Sequence, residues 1–162
     1  MQTTDYPLLL AQADALTNDE PNTLANLANV SALLFDQLTD INWCGFYFLR
    51  DDELVLGPFQ GKSACTRIGW NQGVCGTAAA MDQTLRIANV HEFDGHIACD
   101  AASESEIVIP LHVDGRVAGV LDIDSPIIDR FSAADQVGLE AIAQLIESGL
   151  ANDTQSIGLF NP

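Results

Sequence analysis

Basic residues are what this chain has least of. Six lysines and arginines (Arg50, Lys62, Arg67, Arg86, Arg116 and Arg130) face 23 aspartates and glutamates, for a net charge of −17. Nucleic acid and anionic membranes are held by clusters of Lys and Arg, so both are excluded as expected partners. The acid excess itself reads first as solubility, which net charge governs more directly than it governs function. No apolar run reaches the roughly 18 residues that a membrane helix needs. The opening Met1-Gln2-Thr3-Thr4-Asp5 lacks the basic flank and apolar core of a secretory signal, so a soluble, cytoplasmic protein is expected. Neither a Cys-x-x-Cys pair nor a His-x-x-x-His spacing occurs, which leaves a zinc site without local support, and no metal or bound cofactor is expected. Four cysteines are present, Cys44, Cys65, Cys75 and Cys99. In a chain without a secretory signal they are more often buried, catalytic or redox-active than members of a structural disulfide framework.

With 162 residues, 48% of them hydrophobic, the chain has the size of one domain with a real core. Up to residue 39 the apolar period is helical. Leu8, Leu9, Leu10, Ala13 and Leu16 share a short face, and Asn22 or Thr23 after Pro21 starts a second helix along Leu24, Leu27, Val30, Leu33, Leu34 and Leu38. From Ile41 the period becomes two. Residues 43–49 are aromatic-rich strand, Asp51-Asp52 is the turn, and residues 53–59 return as the partner strand. Trp43, Gly45, Tyr47 and Leu49 share one face, and Cys44, Phe46 and Phe48 the other. An indole and a phenol on one face either line an apolar pocket with a polar tip or pack in the core. Residues 57–65 form a loop dense in turn residues, 66–68 a short strand and 73–81 a small-residue helix, with Cys75 near its start, where the helix dipole favours a thiolate. Residues 84–90 read as a strand, and the irregular stretch 91–100 as a functional loop. That placement makes Cys99 a better candidate than Cys44, although burial is the ordinary fate of a free cysteine.

Residues 105–112 and 116–124 form a hairpin through Asp114-Gly115. Asp122 and Asp124 project from one face of it, and Glu106, Val108 and Pro110 from one face of the partner strand. Carboxylates so grouped repel unless a cation, a proton or solvent separates them. If buried, at least one has a raised pKa; if exposed, they are a solvated strand end. Thiols that can reach one another beside such a cluster suggest redox chemistry on a small cationic or zwitterionic molecule. Ser132 caps a final helix with Asp135 in its first turn and a stripe of Val137, Leu139, Ile142, Ile146 and Leu150, followed by a frayed tail with an apolar patch at Ile157, Leu159 and Phe160. The expected architecture is α+β, one domain with helices at both ends of a central, mostly antiparallel sheet. Residues 1–40 supply the N-terminal helices, 41–150 the sheet, the site loops and the final helix, and 151–162 the tail.

Five segments keep their mutual spacing and together resemble one family. They are Gly57-Pro58-Phe59-Gln60-Gly61, Gly73-Val74-Cys75-Gly76, residues 91–100, Ser105-Glu106-Ile107-Val108-Ile109-Pro110-Leu111, and Gly119-Val120-Leu121-Asp122-Ile123-Asp124-Ser125-Pro126. They resemble the free methionine-(R)-sulfoxide reductases, which use a single GAF-type domain, and the likeness runs from about Trp43 to the last helix. The family's three cysteines are matched by Cys65, Cys75 and Cys99, ten and then 24 residues apart. The resemblance implies that Cys99 is the nucleophile, Cys65 the resolving thiol and Cys75 an auxiliary. It implies that Glu106, Asp122 and Asp124 bind the substrate ammonium and help protonate the sulfoxide oxygen, and that Trp43 and Tyr47 wall the sulfoxide methyl. Ser63 and Asp94 stand where many relatives carry proline, which bears on loop rigidity and not on the chemistry.

The implied activity is thiol-dependent reduction of free methionine-(R)-sulfoxide, with an external dithiol of the thioredoxin type as partner in place of a cofactor. A peptide-bound methionine has no α-ammonium and would leave the buried carboxylates unpaired, so the free amino acid is the expected substrate. A GAF-type sensor of small molecules or redox state, without turnover, is the rival reading. Oligomeric state is not legible, which leaves a homodimer open.

Overall fold

The computed structural model describes residues 4–97 and 99–153. Where the sequence has a helical period the chain forms α1 (Tyr6–Thr17), α2 (Thr23–Gln37), the short α3 (Gly73–Met81) and α4 (Ala133–Ala151). Asn22 is the residue that caps α2, its side chain accepting from the Ala25 amide, and Asp5 does the same for α1. Ser132 and Asp135 close a reciprocal capping box at the start of α4.

Six strands form one antiparallel sheet: β1 (Trp43–Arg50), β2 (Glu53–Gly61), β3 (Arg67–Gly69), β4 (Leu85–Ile87), β5 (Ser105–Val113) and β6 (Arg116–Ser125), in the order β3-β2-β1-β6-β5-β4. The Asp114-Gly115 turn has positive φ at both residues, 51° and 74°, which fits the strong twist of the β5–β6 hairpin. Strand β2 runs two residues further than its sequence suggests, through Pro58 to Gly61. A bulge opposite Phe46 absorbs the irregularity, since Gly45 pairs with Phe59 while Tyr47 pairs with Leu56. Proline, which has no amide to donate, is tolerated at such a point.

The alternation read along β1 divides the molecule. Cys44, Phe46 and Phe48 join Ile107, Leu121, Ile123 and the buried stripes of α1, α2 and α4 in the larger core. Trp43 and Tyr47 join Leu54, Val108, Val120 and the Val74, Ala78 and Ala79 side of α3 in a smaller one on the opposite face. Three helix stripes are narrower than expected. Leu8, Leu16 and Leu24 are exposed, and Val137 is 70% exposed because it lies two positions before Leu139, about 200° around the helix from the inward residues. The apolar patch expected at Ile157, Leu159 and Phe160 lies outside the described residues. Among the described residues, no helix is long and apolar enough to cross a membrane.

Candidate active site

The smaller core is incomplete, and its gap is the site. A cavity of about 40 Å³, enough for a few waters, is bounded by Trp43 and Tyr47 of β1, Val74 and Cys75 of α3, Cys99 and Asp100 of the 91–100 loop, and Glu106, Asp122 and Asp124 of the hairpin. Every residue singled out in the sequence for chemistry borders this space or, in the case of Cys65, is bonded to one that does. Cys65 and Cys99 are joined as a disulfide, with Cα atoms 5.3 Å apart across 34 residues of sequence. Cys44, in the larger core, is not part of the site.

The carboxylates meet because of strand register. Glu106 pairs directly with Asp124 and Val108 with Asp122, so three acidic side chains leave one face of a two-stranded ribbon. One oxygen from each lies within 4.8 Å of the others. Of the two outcomes left open by the pattern, burial is the one realised, since Glu106 and Asp122 are each only 6% exposed. Burial pushes Glu106 well above the usual carboxylate range, with Asp122 and Asp124 adding repulsion. Asp122 is raised by burial and then by Asp124. Asp124 is raised to about 6, mainly by burial and further by Asp100, against the lowering effect of hydrogen bonds with Glu106 and Ser103. Three carboxyl groups that cannot all ionise at neutral pH form a store of protons. Glu106 Oε1 and Asp122 Oδ1 are buried without a hydrogen-bond partner, so the cluster has acceptors free for a donor that enters the cavity. The spacing of these three residues could also suit a metal ion, and all three hold protons more readily than an ordinary carboxylate does.

The apolar wall is held by its polar tips. The Trp43 ring stacks on Phe59 and Tyr47, with centroids 5.3 Å and 5.9 Å apart, and its Nε1–H donates to the Lys62 carbonyl at 3.1 Å. The Tyr47 hydroxyl donates to the carbonyl of Cys65 at 2.9 Å. Both aromatic residues thereby pin the chain that carries Cys65 while their rings face the cavity. Gly73 starts α3 with φ +59°, a backbone conformation that favours glycine, and a side chain there would press on Ile97 of the opposite loop.

Cys75 corrects one expectation. It does sit in the first turn of α3, but burial pushes its thiol well above the ordinary value, and Asp122, Glu106 and Asp124 push it further. The helix dipole is outweighed, and Cys75 is a neutral thiol in this structure. Sequence reasoning also missed a polar network at the rim. Asn42 Nδ2 donates to Asp100 Oδ2 and to Ser103 Oγ, each at 3.1 Å, and the Asn42 amide donates to the Asp124 carbonyl at 2.9 Å. Only the adjacency of Asn42 to Trp43 and of Asp100 to Cys99 hinted at it.

Residues 22–150 match the GAF domain family. Over 146 residues the chain is 58% identical to the free methionine-R-sulfoxide reductase of Escherichia coli, covering 90% of this chain and 88% of that protein. It is 42% identical to the protein of that name in Saccharomyces cerevisiae, covering 85% and 81%. The X-ray structure of free methionine-R-sulfoxide reductase from Neisseria meningitidis in complex with its substrate superposes with a TM-score of 0.91 at 40% identity, covering 97% of both chains. The chain belongs to the GAF-domain family and, within it, to the free methionine-R-sulfoxide reductases.

Proposed function

We propose that this protein reduces the R-sulfoxide of free L-methionine to L-methionine. One observation carries the reading: a disulfide-forming cysteine and three proton-holding carboxylates, two buried and one half-buried, border the same small cavity. The carboxylates take the substrate ammonium, which supplies the donor that the unpaired Glu106 and Asp122 oxygens await. Trp43 and Tyr47 enclose the methyl on sulfur.

With the disulfide open, the Cys99 thiolate attacks the sulfoxide sulfur. Oxygen is a poor leaving group until it is protonated, and the coupled group Glu106–Asp122–Asp124 supplies that proton. The sulfoxide gains two electrons and becomes methionine, while Cys99 loses two and becomes the sulfenic acid. The Cys65 thiol then displaces water from Cys99 to give the disulfide seen here. An external dithiol of the thioredoxin type reduces that bond by exchange, becoming a disulfide itself, and no resident cofactor is needed. Cys75, beside Asp122, is a reserve thiol in this scheme and not the attacking one. Such a cycle belongs in a reducing compartment, which we take to be the cytoplasm.

Incubation with each sulfoxide diastereomer of free methionine and dithiothreitol, followed by quantification of methionine, tests the reading. Consumption of the R form alone is expected. Consumption of neither would overturn the enzyme and favour a ligand-binding sensor on the same fold.

A further inference from the structure

Asn42 belongs to none of the roles above, yet it touches both halves of the site. It stands one residue before Trp43, at the mouth of β1. From there its amide group holds Asp100, the residue after Cys99, and Ser103, which is 4% exposed, while its backbone amide holds the carbonyl of Asp124. Asp100 is itself shaped for this contact, since its other oxygen accepts from the Ala102 amide at 2.9 Å and its carbonyl from the Ser103 amide at 3.2 Å. The loop with the reactive sulfur and the strand with the carboxyl groups are thus tied through one residue, the loop by its side chain and the strand by its backbone. A carboxylate is also fixed next to a cavity already crowded with three others, an arrangement that costs energy unless a proton or a cation relieves the repulsion.

We propose that Asn42 and Asp100 are a positioning pair for this reaction, with Asn42 clamping Asp100 so that its negative charge keeps a proton on the carboxylate cluster when Cys99 is in place. The inference rests on the reductase reading and extends it. The groups that face Asp124 are Glu106 on β5, Asp122 on its own strand, Tyr47 on β1, Cys75 on α3 and Asp100 on the loop, while Cys44 feels its charge from the other face of β1. Of these, Asp100 is the carboxylate outside the strand pair, and a side-chain contact that can be removed holds it in place.

The test is the pH dependence of kcat/KM for methionine-(R)-sulfoxide in Asp100→Asn, Asn42→Ala and the double variant. The limb on which activity falls as pH rises reports loss of the donated proton. Removing the Asp100 charge should move that limb down by roughly one pH unit. Asn42→Ala should move it the same way, and the double variant no further than Asp100→Asn alone, because both act through one charge. A limb that stays at the wild-type pH in Asp100→Asn, or shifts that add in the double variant, would overturn the pair; a purely structural contact lowers kcat without moving the limb. Carboxyl titration of the oxidised protein by NMR reads the same downward shift without turnover. Absence of turnover in the wild type would therefore sink the reductase reading, while an unmoved titration would sink this one.

Discussion

Cys44 and Cys75 are the thiols left free by the Cys65–Cys99 bond, and both are buried among groups that oppose ionisation. Burial raises each well above the ordinary thiol value, and the neighbouring carboxylates raise them further. Reactivity follows thiolate fraction and access, so reduced protein treated with iodoacetamide should be labelled at Cys65 and Cys99. Cys44 and Cys75 should be labelled only after denaturation, which peptide mass spectrometry distinguishes. Cys99→Ser should lower methionine release to the background given by dithiothreitol alone. Cys65→Ser should still yield about one methionine per chain in a single turnover and then stop with thioredoxin as reductant, since the remaining thiol at the site, Cys75, is buried and held protonated. A Cys99→Ser variant with undiminished steady-state rate would remove the assigned nucleophile.

The elements position these residues through close backbone and ring contacts. Gly138 of α4 lies against the Tyr6 ring of α1, whose hydroxyl donates to Asp135 at 2.6 Å. Gly138→Ala should displace that ring and cost about 1–3 kcal/mol in urea denaturation. Ser132→Ala, which breaks the capping box of α4, should cost about 1 kcal/mol. Neither change touches the cavity, so kcat in the folded protein should hold. Most of this scaffold was legible: the period of two along β1 assigned its faces correctly, Asp114-Gly115 marked the hairpin, and Ser132-x-x-Asp135 marked the cap. The errors have local causes. Gly57 and Pro58 look like a loop because a bulge cannot be read without its partner strand, and Val137 looks like core because hydrophobicity does not reveal which side of a helix faces inward. In the site, carboxylate pairing followed from strand alternation, whereas the Asn42–Asp100 contact joins residues 58 positions apart with no shared period. Cys75 was misjudged because its helix position is visible in sequence and its burial beside Asp122 is not.

At the scale of the whole molecule, ionisation and folding are linked. Carboxyl groups with a folded pKa above their unfolded value contribute stability below that unfolded value and lose it as pH rises through the folded one. Glu106, Asp122 and Asp124, the last at about 6, all have that sign. His112 has it too, its usual value raised by hydrogen bonds to Glu147 and Asp82, at 2.6 Å each, against the lowering effect of burial. A net charge of −17 adds repulsion that grows in the same direction. The melting temperature should therefore fall as pH rises through about 6, the value for Asp124, and keep falling above it. Added sodium chloride should restore part of the loss, and Asp124→Asn should flatten the slope. Scanning calorimetry on both sides of that pH checks all three. The sheet itself has one further consequence. It ends on either side in a strand of three residues, Arg67–Gly69 and Leu85–Ile87. So short a margin, one of them headed by an arginine, gives a second copy almost no open backbone to zip onto. Concentrated protein should accordingly resist fibril growth by strand addition, and any pairing of chains would have to be built from helices and loops.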